Sequence, residues 1–129
     1  MSRVQKILLI EPDYILASLH SQALRAVGYE VASVSDAAQA MAAVESRPDL
    51  IIMELQLVTH NGIELLYEIR SYPDLMTLPV IVHSSIPAAE FYNKRTAQQL
   101  RVQSYLYKPT TSLETLIQTI DTILAAAPA

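Results

Sequence analysis

Charged side chains stand directly behind three apolar runs of this chain. Ile7 to Ile10 leads into Glu11-Pro12-Asp13, Leu50 to Met53 stops at Glu54, and Tyr105-Leu106-Tyr107 runs into Lys108-Pro109. A fourth run, Val80 to Val82, is followed by His83 and two hydroxyls, Ser84 and Ser85. Carboxylates, hydroxyls and a lysine would form one polar cluster if these strand ends lay side by side. Distance along the chain is no obstacle, because the carboxyl ends of the strands in an open parallel α/β sheet share one crevice.

Such a sheet is what the rest of the sequence predicts. Strand-like runs begin near Val4, Tyr29, Leu50, Pro79 and Ser104, each followed by a helical stretch, and this alternation is the pattern of a parallel α/β fold. Strands buried on both faces are continuously apolar, so Ile7 to Ile10, Leu50 to Met53 and Val80 to Val82 belong in the centre. Tyr29 to Val34 and Val102 to Tyr107 admit Glu30, Ser33, Gln103 and Ser104 and belong at the edges. A five-stranded, doubly wound (flavodoxin-like) sheet of order 2-1-3-4-5 with five helices satisfies this. It opens a crevice beside strands one and three, where Glu11 and Glu54 sit.

The helices carry their own signals. Leu16, Leu19, Ala23 and Val27 fall on one face of the first, which Gly28 ends. Asp36 with Gln39 opens the second, whose inward residues are Ala37, Ala40, Met41 and Val44, and Pro48 forbids its continuation. Asn61 with Glu64 opens the third, with Leu65, Leu66 and Ile69 inward and Pro73 at its end. From Ala88 to Leu100 the apolar face is ragged, and this is expected to be the least firmly packed helix. Ser112 opens the last, whose stripe of Leu113, Leu116, Ile117, Ile120 and Leu124 is strong.

The totals narrow the function. The 129 residues, 51% hydrophobic and 17% charged, suit one domain spanning 1–129 with a core of about 4–125 and argue against disorder. A net charge of −4 gives no electrostatic footprint for nucleic acid. Cysteine is absent, which excludes disulfides and thiolate metal sites, and Gly28 and Gly62 are too few for a phosphate-cradling loop. His20, His60 and His83 share no metal-ligand spacing and receive no role. The four apolar residues near the N-terminus fall far short of the ~20 needed to span a bilayer, so a cytoplasmic protein without membrane association is expected.

At this order and spacing the chain resembles, over nearly its whole length, the receiver domain of bacterial two-component response regulators. The resemblance implies Mg²⁺-dependent phosphoryl transfer to an aspartate. It places Glu11 at the first acidic position after strand one and Glu54 at the phosphoacceptor position. Ser84 falls at the switch hydroxyl, Tyr105 at the aromatic switch and Lys108, before Pro109, at the lysine of strand five. Gly62 matches the glycine that opens the third helix, although Val58 replaces the usual loop proline.

Two departures bear on activity. Pro12 falls where a direct metal ligand belongs and brings no side-chain oxygen. Glu54 replaces aspartate, and its extra methylene displaces the carboxylate by ~1 Å, a shift that costs on the order of 100-fold in rate. The expectation is a non-enzymatic, degenerate receiver that signals by protein contact, without a cofactor and with no metal or only weak Mg²⁺ binding. Asp13 completes the acidic pocket but doubles as a helix N-terminal residue. Glu54 would turn toward Lys108 and Ser84 as a partial mimic of a phosphoryl group, or else serve only as a solvated strand cap.

The resemblance further implies a histidine kinase or downstream signalling protein as partner, and a possible homodimer through helix four, strand five and helix five. Phe91, Tyr92 and Tyr107 are the aromatic candidates there, with core packing the better reading for Phe91. Of Tyr105 and Tyr107, one is expected inside and one outside. Rival readings are a working phosphorelay member modified at Glu54 or another residue, and a haloacid-dehalogenase-like phosphatase using Glu11-x-Asp13, Ser84 and Lys108.

Overall fold

The computed structural model describes residues 3–126 apart from 94 and 96. Five parallel strands, β1 (Lys6–Ile10), β2 (Glu30–Val34), β3 (Leu50–Met53), β4 (Val80–Ser84) and β5 (Ser104–Tyr107), alternate with five helices. These are α1 (Tyr14–Ala26), α2 (Ala37–Ala43), α3 (Gly62–Arg70), α4 (Ala88–Tyr92) and α5 (Leu113–Ala126). The sheet order is β2-β1-β3-β4-β5. Every residue of β3 and β4 is buried, as continuous apolar runs require of central strands, whereas β2 and β5 are only partly covered.

Strand alternation divides the core into two layers. Leu8, Ile10, Ile51, Met53, Val80 and Val82 face one side, where Ala40, Val44, Leu65, Leu66, Ile69 and Phe91 cover them. Ile7, Leu9, Leu50, Ile52 and Ile81 face the other, under Ala17, Leu24, Leu116, Ile120 and Leu124. Thus α2, α3 and α4 close one face and α1 and α5 the opposite one.

The helix starts follow from side-chain caps that satisfy otherwise unpaired amides. Asp13 accepts from the Ile15 and Leu16 amides, Asp36 from that of Gln39, Asn61 from that of Ile63 and Ser112 from that of Thr115. Gln39 reaches back to the Ser35 amide at 3.0 Å, one residue beyond the cap. Gly28, at φ 106°, turns the chain out of α1 in the left-handed region that glycine adopts without strain.

Three expectations need correction. The buried face of α1 is Ala17, His20, Ser21 and Leu24, while Leu19 and Val27 stay half exposed. The helix docks on the arc centred on Leu24, which lies one residue away from the most apolar stripe. The fourth helix stops at Tyr92, and residues Ala97–Leu100 form a separate 3-10 turn. Its anchors are Phe91, Ala97 and Leu100, too widely spaced to hold one continuous helical face. Tyr105 and Tyr107 are two residues apart on a strand and so share a face; both are half-buried.

Arg70, at the end of α3, fastens the connections that follow. Its guanidinium donates to the carbonyls of Leu75, Leu78, Leu100 and Arg101 at 2.7–3.1 Å. Among the described residues no helix is long and apolar enough to cross a membrane.

Gly62 is required by proximity. A Cβ there would lie 2.6 Å from the Leu55 Cα and 2.9 Å from its carbonyl oxygen, which already accepts the Gly62 amide at 2.7 Å. Gly62→Ala is therefore expected to destabilise the fold by about 1–3 kcal/mol, read as a lowered thermal midpoint.

Candidate functional site

Backbone pairing sets the positions of the two acids. The Glu54 amide donates to the Ile10 carbonyl and the Glu11 amide to that of Val34, each at 3.0 Å, so both residues prolong the ladder into the crevice. Lys108 arrives from the edge at the start of a 3-10 turn, Lys108–Thr110, that follows β5. Its amine lies 2.6 Å from Glu11 Oε1 and 2.8 Å from Glu54 Oε1. The carboxylates are 3% and 4% exposed and the lysine side chain 15%, so this is a buried bridge across the sheet.

Each carboxylate is engaged beyond the lysine. Glu54 Oε2 accepts the Leu55 and Gln56 amides at 2.6 and 3.1 Å, and its Oε1 takes a longer bond from the Ser85 amide at 3.4 Å. Glu11 Oε2 accepts the Asp13 amide at 3.0 Å. The fully buried Ser84 hydroxyl accepts the Ile86 amide at 3.1 Å and borders the same cluster.

The protonation states are fixed by these contacts. Burial alone would raise the Glu54 pKa, but hydrogen bonds from Lys108, Ser84 and the Gln56 amide, with the lysine's charge, hold it below the usual carboxylate range. Burial would likewise lower Lys108, and Glu11 and Glu54 together hold it above its ordinary value. Two carboxylates against one ammonium leave the cluster with a net charge of about −1, a burden tolerable only because every charged group is directly paired.

The Mg²⁺ that the resemblance implies does not fit these residues. Pro12 offers no side-chain oxygen, Asp13 is turned to the start of α1, and both Glu11 and Glu54 are held by the ammonium. Among the described residues no group of three or more His, Cys, Asp or Glu side chains is arranged to hold a metal ion.

The structure thus brings Glu11, Glu54, Ser84 and Lys108 together and leaves Asp13 outside as a helix cap. Tyr105 is turned inward, its hydroxyl donating to the Ile86 carbonyl at 2.5 Å and its ring 5.4 Å from Phe91. Burial and the charge of Glu54 push its phenol up to about 12, against a lowering by Ser84. Phe91 is 2% exposed and therefore belongs to the core; it is withdrawn as a surface aromatic, whereas Tyr92 is exposed. Ser85 donates to Gln56 Oε1 at 2.9 Å, linking the loops after β3 and β4.

His20 and His83 had no assigned role, yet both are buried beside this site with ring centroids 5.3 Å apart. The signal was present: His83 shares a strand face with Ile81, and His20 lies at helical spacing from Ala17 and Leu24. Burial pushes the His83 imidazole down to about 4, aided by His20 and Lys108 and opposed by Glu54. His20 is lowered as well, by burial and then Lys108.

Comparison with known proteins places this geometry. The sequence profile described as "Response regulator receiver domain" matches residues 7–121. A gliding motility regulatory protein of Myxococcus xanthus is 28% identical over 117 residues, covering 90% of this chain and 15% of that protein. The chain spans only 15–30% of the length of the first curated relatives it matches. Among solved structures, the phosphorylated cyanobacterial phytochrome response regulator RcpA is 31% identical, with a TM-score of 0.79 over 98% of both chains. The chemotaxis response regulator CheY4 of Vibrio cholerae superposes with a TM-score of 0.83 over 94% of this chain and 99% of its own; at 23% identity it speaks for the fold alone.

Two outcomes are expected from the buried charges. Lys108→Met should cost about 3 kcal/mol at pH 7, because it strands two carboxylates, and denaturant melts should show the cost shrinking toward pH 4 as Glu54 takes up a proton. His83 binds its proton more weakly folded than unfolded, so its contribution is intact above pH 6.5 and declines as pH falls toward about 4. Melts of His83→Leu should accordingly show a flatter loss of stability across that window.

Proposed function

The chain belongs to the response regulator receiver domain family, and from that premise we propose that it signals by protein contact, without Mg²⁺-dependent phosphorylation of the acceptor position. The observation that carries this reading is the single ammonium of Lys108 held at 2.6 and 2.8 Å by Glu11 and Glu54. An incoming phosphoryl group would have to displace Glu54 from Lys108 and from two backbone amides, with no metal cradle to offset the added negative charge. Glu54 instead occupies the lysine itself. One carboxylate brings one negative charge where a phosphoryl group brings closer to two, so it imitates the modified state only in part.

On this reading the protein is a cytoplasmic binding module and not an enzyme. Its partner is a histidine kinase or a downstream signalling protein of a two-component pathway. Tyr92, exposed on α4, and Tyr107, half-buried on β5, lie on the surface formed by α4, β5 and α5 and are the aromatic contacts it offers to a partner or to a second copy. The phosphatase alternative loses support from Asp13, whose carboxylate is occupied at the start of α1.

The test is chemical. Incubated with acetyl phosphate and Mg²⁺, the protein is expected to show no mass gain of one phosphoryl group, and the double variant Pro12→Asp/Glu54→Asp is expected to acquire it. Stoichiometric phosphorylation of the native chain would overturn the proposal, and modification of a residue other than Glu54 would move it to the phosphorelay alternative.

A further inference from the structure

On the α1 and α5 side of the sheet, separate from the acids, lies an open cleft of about 360 Å³. Its walls are Leu16, Pro109, Leu113 and Leu116, its floor is the His20 and His83 pair, and Lys108 stands at its edge. We propose that this cleft binds a small, uncharged, planar molecule able both to donate and to accept a hydrogen bond, of the size of a bicyclic heteroaromatic.

The floor is the first reason. His20 and His83 occupy positions in an otherwise aliphatic layer with Leu9, Leu24, Ile81 and Leu116, and are 6% and 4% exposed. His20 Nδ1 is buried with no hydrogen-bond partner among the described residues. A buried polar atom left unpaired keeps its full desolvation penalty, whereas a leucine of similar bulk carries none. His83 faces that ring at a centroid distance of 5.3 Å, so two polar rings stand where packing alone would favour aliphatic side chains, an arrangement suited to a partner that arrives from the cleft.

The walls and charges choose the ligand. The volume is that of a small-molecule pocket at the lower end of the usual range, lined mainly by apolar groups with a few convergent polar ones. Burial beside Lys108 keeps both imidazoles neutral near pH 7, and a neutral imidazole presents one donor and one acceptor. An anion gains nothing from Lys108, which Glu11 and Glu54 already pair and slightly over-compensate. A cation would lose its hydration among the leucines. An uncharged ring with an N–H and an acceptor nitrogen suits both the walls and the floor. It would lie against Lys108.

The probe is benzimidazole, with benzoate and benzylammonium as charged analogues, titrated into the full chain at pH 7.5 while the ¹⁵N signals of His20 and His83 and the amides of Leu113 and Leu116 are followed. Saturable shifts are expected with benzimidazole, at least about tenfold weaker binding of both ions, and loss of the response in His20→Leu/His83→Leu, whose thermal midpoint should not fall. Leu113→Phe, which narrows the cleft without touching a histidine, should also weaken binding. Absence of saturation, equal affinity in the double leucine variant, or a charged analogue binding as tightly would overturn the proposal.

Discussion

One ammonium between two buried carboxylates governs this molecule. Lys108, Glu54 and Glu11 come from the ends of β5, β3 and β1, and the ammonium lies 2.6 and 2.8 Å from two acids that are only 3–4% exposed. Removing charges from water is costly, and close pairing with further hydrogen bonds is what offsets it. The three groups therefore hold one another, and the crevice floor is closed by the protein's own side chains.

The fold supplies the precision that this contact needs. The ladder continues through the Glu54 and Glu11 amides, so neither acid depends on a loop for its position. The chain after Glu54 is held just as firmly, because Gly62 allows α3 to start against the backbone of Leu55. On the other side of the crevice, Ser85 is tied to Glu54 and Gln56, and Ile86 to Tyr105, by hydrogen bonds. A displacement of Glu54 would thus be felt in both flanking loops and at the aromatic ring of β5.

Much of this is legible in the amino-acid sequence. Continuous apolar runs located β1, β3 and β4, and strand ends located Glu11, Glu54, Ser84 and Lys108, because period and burial are coupled in a parallel sheet. Asp36, Asn61 and Ser112 marked helix starts through the same chemistry that caps them. What stayed hidden depended on tertiary docking. The arc of α1 that faces the sheet is chosen by how the helix crosses it, so His20 and Ser21 are buried while Leu19 is left half exposed. Arg70 reads as a surface cation at the end of a helix; its role depends on four carbonyls that only the folded connections bring together.

That guanidinium has a mechanical corollary. The stretch between β4 and β5 is pinned at its start, where the Tyr105 hydroxyl holds the Ile86 carbonyl, and at its finish, where Arg70 holds Leu100 and Arg101. Between those two rivets the described residues form one short helix, Ala88–Tyr92, and one 3-10 turn, Ala97–Leu100. Any rewinding of this strap is therefore a local event between fixed ends, able to reshape the outer surface while the strands beneath keep their register.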